Sequence, residues 1–409
     1  MTSRGSSGSA ASEAEPGTGG SAQMLALIIG ITVTGIMGNV LPAPVVPDIV
    51  ADFGEPVGRA GWLLAVTTGP GILLAPVIGV LADRFGRREV LVPCLAIFGV
   101  AGGLAAWAPS YEWLLVLRFF QGIGSAGLIN LGIVLIGDHW SGAERVRMIG
   151  RNAAALTAAI VILPPIGGWL GETWSWRATF VPYWLALATA AVVWVRLLGG
   201  RRGEGSIREQ VRVAAPILRR RAVLAPVLLG AVVFMLIFGV FLTAVPIHLD
   251  REFAVGSGGR GLVLALPALT STTVALNLAR LRRRFTVPAI LGVAFVLFAV
   301  AFATLAVAPS IAFVYAAALV YGAGEGATIA TLQDAVSEAA PAASRAAVVA
   351  VWVGVARIGQ TVGPLAAAAG VDGPGPGPTF AVAAVIGGLL ALSTRWLLGE
   401  GKLAAATNQ

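Results

Sequence analysis

Long apolar runs alternate with short polar punctuation along almost the whole chain. A run of about 20 apolar residues is what an α-helix needs to cross a bilayer, and the sequence holds twelve. They predict helices over 24–41, 61–82, 89–107, 113–136, 147–170 and 180–198, then 222–247, 260–279, 287–307, 310–332, 346–370 and 379–398. Residues 1–23, rich in Ser, Gly, Ala and Glu, are expected to be disordered. No clustered basic stretch precedes the first run and no cleavage pattern follows it, so it reads as a retained helix. A polar linker, 199–221, separates an N-terminal bundle (24–198) from a C-terminal bundle (222–398), and 399–409 form a tail.

The two halves follow one plan. Each has an Arg-rich turn between its second and third helix, Asp83 to Arg88 and Arg280 to Arg284, and the second turn lacks the aspartate and glycine of the first. Each has a proline near the middle of its fifth helix, Pro164 and Pro364. The expected fold is an all-α membrane protein of twelve helices in two six-helix pseudo-repeats.

Composition agrees. The chain is 57% hydrophobic and 12% charged, where a soluble domain carries about 25% charged residues. A net charge of +8 would suit nucleic acid, but the arginines cluster between apolar runs and read as topology signals. With both termini inside, the inner segments hold 22 Arg and Lys and the outer ones, Arg59, Arg177, Arg251 and Arg260, hold 4. Both termini are therefore expected to be cytoplasmic, in a plasma (inner) membrane. The lone Cys94 and two separated histidines leave no disulfide, zinc or triad pattern. No enzyme activity, cofactor or metal is expected. Gly122-Ile-Gly124-Ser-Ala-Gly127 fits G-x-G-x-x-G, but no strand precedes it, so close helix packing explains it better than dinucleotide binding.

Three stretches carry more. Gly79-Val-Leu-Ala-Asp83-Arg84-Phe-Gly86-Arg87-Arg88-Glu-Val-Leu91 ends one apolar run in a basic turn. Gly79 and Ala82 are small enough for another helix to approach. Asp83 sits at a helix C-terminus, where the dipole disfavours it, so it needs a cation or another helix N-terminus. Arg118-Phe-Phe-Gln121-Gly-Ile-Gly124 lies in helix 4, and Leu163-Pro164-Pro165-Ile-Gly167-Gly168 in helix 5.

These stretches resemble the major facilitator superfamily of transporters: its loop between helices 2 and 3, its helix 4 motif R-x-x-Q-G-x-G and, in part, the helix 5 motif of its drug/proton antiporters. In that helix 5 motif Ala159 and Leu163 stand where two glycines are usual. Gly359-Gln360-Thr361-Val362-Gly363-Pro364 in helix 11 and Asp138 at the end of helix 4 are similar to the same branch. The resemblance implies that helices 1, 4, 7 and 10 line a central cavity, with Arg118 facing Glu325 across it. It also implies that Gly79, Asp83, Arg84, Gly86, Arg87 and Arg88 form a latch, Asp83 meeting the start of helix 11 around Ala346 to Val349.

Arg118, Glu325 and Arg357 fall inside apolar runs, where a charge costs roughly 2.5–3.5 kcal/mol at the bilayer centre. Arg118, Gln121 and Ser125 share a helix face, as do Tyr321, Glu325 and Thr328, and Arg357 with Gln360. They either line the cavity or form buried pairs that only lock helices. Phe234, Phe238 and Phe241 mark one face of helix 7, turned to an apolar pocket or to lipid. Glu325 is the first choice for a coupling proton, with Arg118 tuning it; Asp138 and Asp334 are held in reserve. Desolvation and a nearby cation act on such a carboxylate in opposite directions. The leading expectation is a monomeric exporter exchanging a small amphipathic compound for protons. The alternatives are an uptake carrier for an organic anion, drawn by Arg118 and Arg357, and a transporter-like receptor that moves nothing.

Overall fold

A computed structural model describes residues 18–197, 220–341 and 345–398. The expected linker lies outside them save for Arg220 and Arg221, as do the C-terminal tail and residues 1–17. Among the described residues every regular element is helical. Twelve helical spans are long and apolar enough to cross a membrane: Ala22–Asp52, Val57–Phe85, Arg87–Trp107, Tyr111–His139, Gly142–Thr173 and Trp176–Arg196, then Arg221–Phe253, Ser257–Arg284, Val287–Ala306, Ile311–Ala339, Val348–Asp372 and Pro376–Thr394. They are numbered here as spans 1 to 12. Helices keep every interior backbone hydrogen bond within the segment, as lipid demands. The outward faces carry Leu73, Val195, Leu276 and Leu392, all largely exposed, as suits an apolar solvent.

The expected boundaries need three corrections. Helix begins at Thr18, so residues 18–23 are helical rather than disordered. Span 1 does not stop at the prolines near Leu41. Pro44 and Pro47 fall in the first turns of the short helices Ala43–Val45 and Val46–Asp52, where a missing N–H costs little, and the span runs on to Asp52. Span 8 begins at Ser257, three residues before the expected 260, which moves Arg260 from the outer end of the helix into its first turn.

An even number of spans leaves both chain ends on one face, called here the terminal face; the opposite one is the distal face. Spans 2 and 11 pack along their distal parts, as do spans 5 and 8. The packing of span 8 on span 5 is concentrated in Ser257–Ala265 and falls away along Pro267–Arg284. The closest approaches follow the repeat. A Cβ at Gly61 in span 2 would overlap the Pro364 carbonyl of span 11; a Cβ at Gly261 in span 8 would overlap the Pro164 carbonyl of span 5. Each is the second helix of one half against the fifth of the other. At Gly79, near the terminal face, a Cβ would meet nothing within 4 Å. The expected close approach at Gly79 is therefore not made in this state. The halves are closed at the distal face and parted toward the terminal face.

Candidate functional site: the cleft between the halves

Glu325 sits at the middle of the unbroken helix Ile311–Ala339, half-buried, with no hydrogen bond or ion pair to any described residue. The turn before it carries Tyr321, which is fully buried. Its ring stacks on Phe241, with centroids 4.1 Å apart, and on Phe298 at 5.1 Å. Phe241 and Phe238 come from a π-helical stretch of span 7, Leu236–Ala244, where the Thr243 hydroxyl donates to the Phe238 carbonyl five residues back at 2.8 Å. Such stretches often mark functional sites. Phe238 is buried and Phe234 half-buried, and Phe234 lies against the Trp352 ring at 6.2 Å. The aromatic face of helix 7 is thus packed inside the second half and does not face lipid.

Arg118 does not face Glu325. It is 1% exposed, inside the first half. Its guanidinium donates to the Gly38 carbonyl (2.6 Å), the Leu63 carbonyl (3.3 Å) and Gln121 Oε1 (2.6 Å), and lies 5.8 Å from the Phe180 ring centre. The Tyr183 hydroxyl shares the neighbouring carbonyls of Met37 and Gly38. Gln121 is wholly buried and Ser125 donates to the Gly122 carbonyl, so this face of helix 4 ties spans 1, 2, 4 and 6 together. The helical face was read correctly, but its neighbours are carbonyls of the same half.

Arg357 crosses the boundary between the halves. Span 4 is broken between Tyr111–Ser125 and Leu128–His139, and Arg357 donates to the Ala126 carbonyl in that break at 3.0 Å. A side chain at Gly71 of span 2 would overlap its guanidinium. One turn further, the hydroxyls of Thr68 and Thr361 meet at 3.0 Å, and Thr68 donates to the carbonyl of half-buried Gln360 at 3.3 Å.

On the distal side Pro164, Pro165, Gly167 and Gly168 form the span 5 surface that meets spans 1 and 8. A Cβ at Gly167 would overlap the Leu41 carbonyl, and one at Gly168 the Ser257 carbonyl. Ser257 donates to the Gly168 carbonyl at 3.0 Å, and Glu172 accepts the Gly258 N–H at 2.8 Å. Arg260, 2% exposed, pairs with Asp48 of span 1 at 2.6 Å and lies 3.8 Å from Asp250 of span 7. The sequence reading missed this group. Its one signal was an arginine at the very start of an apolar run.

On the terminal face Asp83 pairs with Arg87, which also donates to Asp138 at 3.2 Å. Gly86, at φ 111°, makes the turn between spans 2 and 3. Arg84 is exposed, and Arg88 packs on the Trp194 ring at 4.5 Å. Asp138 thus lies half-exposed at a helix end, away from Glu325. In the second half Arg282 pairs with Asp334 and, at 2.9 Å, with Glu338. Among the described residues no group of three or more His, Cys, Asp or Glu is gathered for a metal ion.

Comparison with known proteins fits this geometry. A family model described as Major Facilitator Superfamily matches residues 27–254 and 227–408. The bacillibactin exporter of Bacillus subtilis is 28% identical over 249 residues, 58% of this chain and 61% of that protein. The multidrug transporter protein MdtP of the same organism is 32% identical over 182 residues, 44% of this chain and 33% of that one. The chloramphenicol resistance protein of Streptomyces lividans is 27% identical over 210 residues, 51% and 54% of the two chains. The alignments thus span about a third to three fifths of these relatives' length. Among solved structures, a POT family transporter in complex with 5-aminolevulinic acid matches with a TM-score of 0.76 at 13% identity, over 92% of this chain and 96% of that one. A bacterial homolog of the human lysosomal transporter Spinster, inward-facing and unoccupied, matches with a TM-score of 0.69 at 18% identity, over 94% and 95%. Twelve spans in two like halves, a cleft between them and a family match over nearly the whole length lead to one conclusion: the chain belongs to the Major Facilitator Superfamily of membrane transporters.

Proposed function

We propose that the protein is a proton-coupled exporter of small amphipathic compounds, working by alternating access as a monomer. The observation that carries this reading is Glu325, a carboxylate at mid-span, beside an aromatic wall, with no partner among the described residues. An unpaired carboxylate at that depth is expensive as a charge and is readily neutralised by a proton. Three relatives are named as an exporter, a multidrug transporter and a resistance protein, which favours outward transport of an amphipathic cargo. The anion-carrier reading asks for a free cation in the cleft, yet Arg118 and Arg357 both donate to backbone carbonyls. The 22-to-4 distribution of basic residues supports a terminal face turned to the cytoplasm, and the bacterial relatives support a plasma-membrane location.

In this reading the bundles 24–198 and 222–398, joined by 199–221, rock against each other. In the same reading, a state parted at the terminal face is the one open to the cytoplasm. When that side closes, Asp83 keeps the turn arginines and also meets the N-terminal end of span 11, since helix N-termini attract anions. The deciding experiment is Glu325→Gln in proteoliposomes with an imposed pH gradient. Uphill export is expected to vanish while substrate binding stays measurable. Unchanged uphill export with unchanged pH dependence would place the proton elsewhere.

A further inference from the structure

Arg260 is a buried cation with a carboxylate on each side of the boundary between the halves. Asp48 belongs to the first half, at the distal end of span 1, and accepts from Arg260 Nη2 at 2.6 Å. Asp250 belongs to the second half, like Arg260 itself, and stands 3.8 Å from the same nitrogen. The Nε and Nη1 atoms of Arg260 are buried without partners, so these two carboxylates are its counter-charges. Around them, Ser257 and Gly258 hold span 5 through the Gly168 carbonyl and Glu172. The Glu172 carboxylate caps the first turn of Ser257–Ala265, the end of a helix that favours an anion.

Arg260 is buried, while Asp48 and Asp250 are 36% and 43% exposed; a buried cation that loses its counter-charge is left stranded, which is unfavourable. Parting the distal face must break the contact between Arg260 and Asp48. Without a second acceptor that step would strand Arg260.

We infer that Arg260 is handed between two aspartates during transport: Asp48 holds it while the distal face is shut, and Asp250 receives it when that face opens. Asp48 and Asp250 then act in opposite directions on one equilibrium. Removing Asp48 releases the gate. Removing Asp250 leaves the open state with an unpaired arginine and keeps the gate shut. The inference does not depend on the cargo or the coupling ion.

The test reads the opening of the distal face directly. Trp107, the last residue of span 3, and Val307, the residue just after span 9, are both largely exposed at the distal face, one in each half. With Cys94 replaced, spin labels at these two positions report the separation of the halves in full-length protein in lipid nanodiscs. Asp48→Asn should raise the distal-open fraction several-fold, and Asp48→Glu should restore the starting distribution. Adding Asp250→Asn to Asp48→Asn should return the fraction toward that of the unmodified protein. Both substitutions are nearly isosteric, and size-exclusion profiles confirm that each variant is folded. The hand-over is overturned if Asp250→Asn leaves the open fraction unchanged or raises it, as a purely structural role for both aspartates would. It is also overturned if Asp48→Asn does not raise that fraction.

Discussion

On the terminal face, Arg87 bridges Asp83 and Asp138 within the first half, and Arg282 bridges Asp334 and Glu338 within the second. On the distal face, Arg260 reaches from the second half to Asp48 in the first. The groups are chemically alike. Their positions relative to the moving boundary are not. A pair inside one half staples helix ends and goes wherever that half goes, whereas a pair across the boundary exists in one state only. The arginines differ in exposure, 2% for Arg260 against 17% for Arg87 and 26% for Arg282, whereas Asp48 and Asp250, at 36% and 43%, are about as exposed as Asp83 and Asp138, at 31% and 46%. Salt reaches the clusters with the more exposed arginines more readily.

The strongest way to break the comparison is to block each face in turn. Gly168→Val puts a side chain into the Ser257 backbone. Overpacking of this kind costs roughly 1–3 kcal/mol, a shift of about 5- to 150-fold in a two-state balance. The expected result is a distal face held open and transport reduced by a similar factor. Gly79→Leu has room in this state, and is expected to stop the terminal face from closing instead. Both variants should transport poorly, but the spin-label distance across the distal face should lengthen only for Gly168→Val. The same distance in both variants would mean that the two faces do not alternate.

Arg118 sharpens the comparison from inside one half. Arg118→Ala takes the guanidinium from the Gly38 and Leu63 carbonyls and the Gln121 amide oxygen and leaves a cavity, although Tyr183 and Thr67 still donate to the two carbonyls. The expected loss of stability is about 2–5 kcal/mol, read as a lowered melting midpoint in detergent. An unchanged midpoint with lost transport would return Arg118 to the cleft chemistry.

The smallest effect belongs to the exposed clusters. Arg282→Gln should cost at most about 1 kcal/mol, and the difference from the unmodified protein should disappear at high ionic strength. A large loss that persists in salt would show that this cluster takes part in closing the terminal face.

The twelve spans, the repeat and the basic turns were legible because each depends on local composition. Apolar length gives the helices, and arginines between them mark the turns. Which side chains meet across the cleft was not legible. The spacing of Arg118, Gln121 and Ser125 fixed a common face, but i, i+3, i+7 says nothing about what lies opposite. That turned out to be carbonyls of spans 1 and 2. Arg260 was counted with the outer segments, at the very start of its helix, because Gly256-Ser-Gly-Gly before it reads as a loop, while the helix in fact starts at Ser257 and packs against span 5. Asp48 was hidden behind a proline run that bends span 1 without ending it. The π-helical stretch of span 7 has no sequence signature beyond its apolar run.

The seal at the distal face is made largely of main chain. The carbonyls of Pro164, Ser257 and Pro364 lie where Gly261, Gly168 and Gly61 have no side chain. A carbonyl is the same atom whatever residue carries it. This closure therefore rests on a few missing side chains beside the Arg260–Asp48 pair. Residues facing the cleft can be exchanged for others, to suit a different cargo, without loosening the door behind them. Substrate preference and gating are thus separable traits in this chain, open to change one at a time.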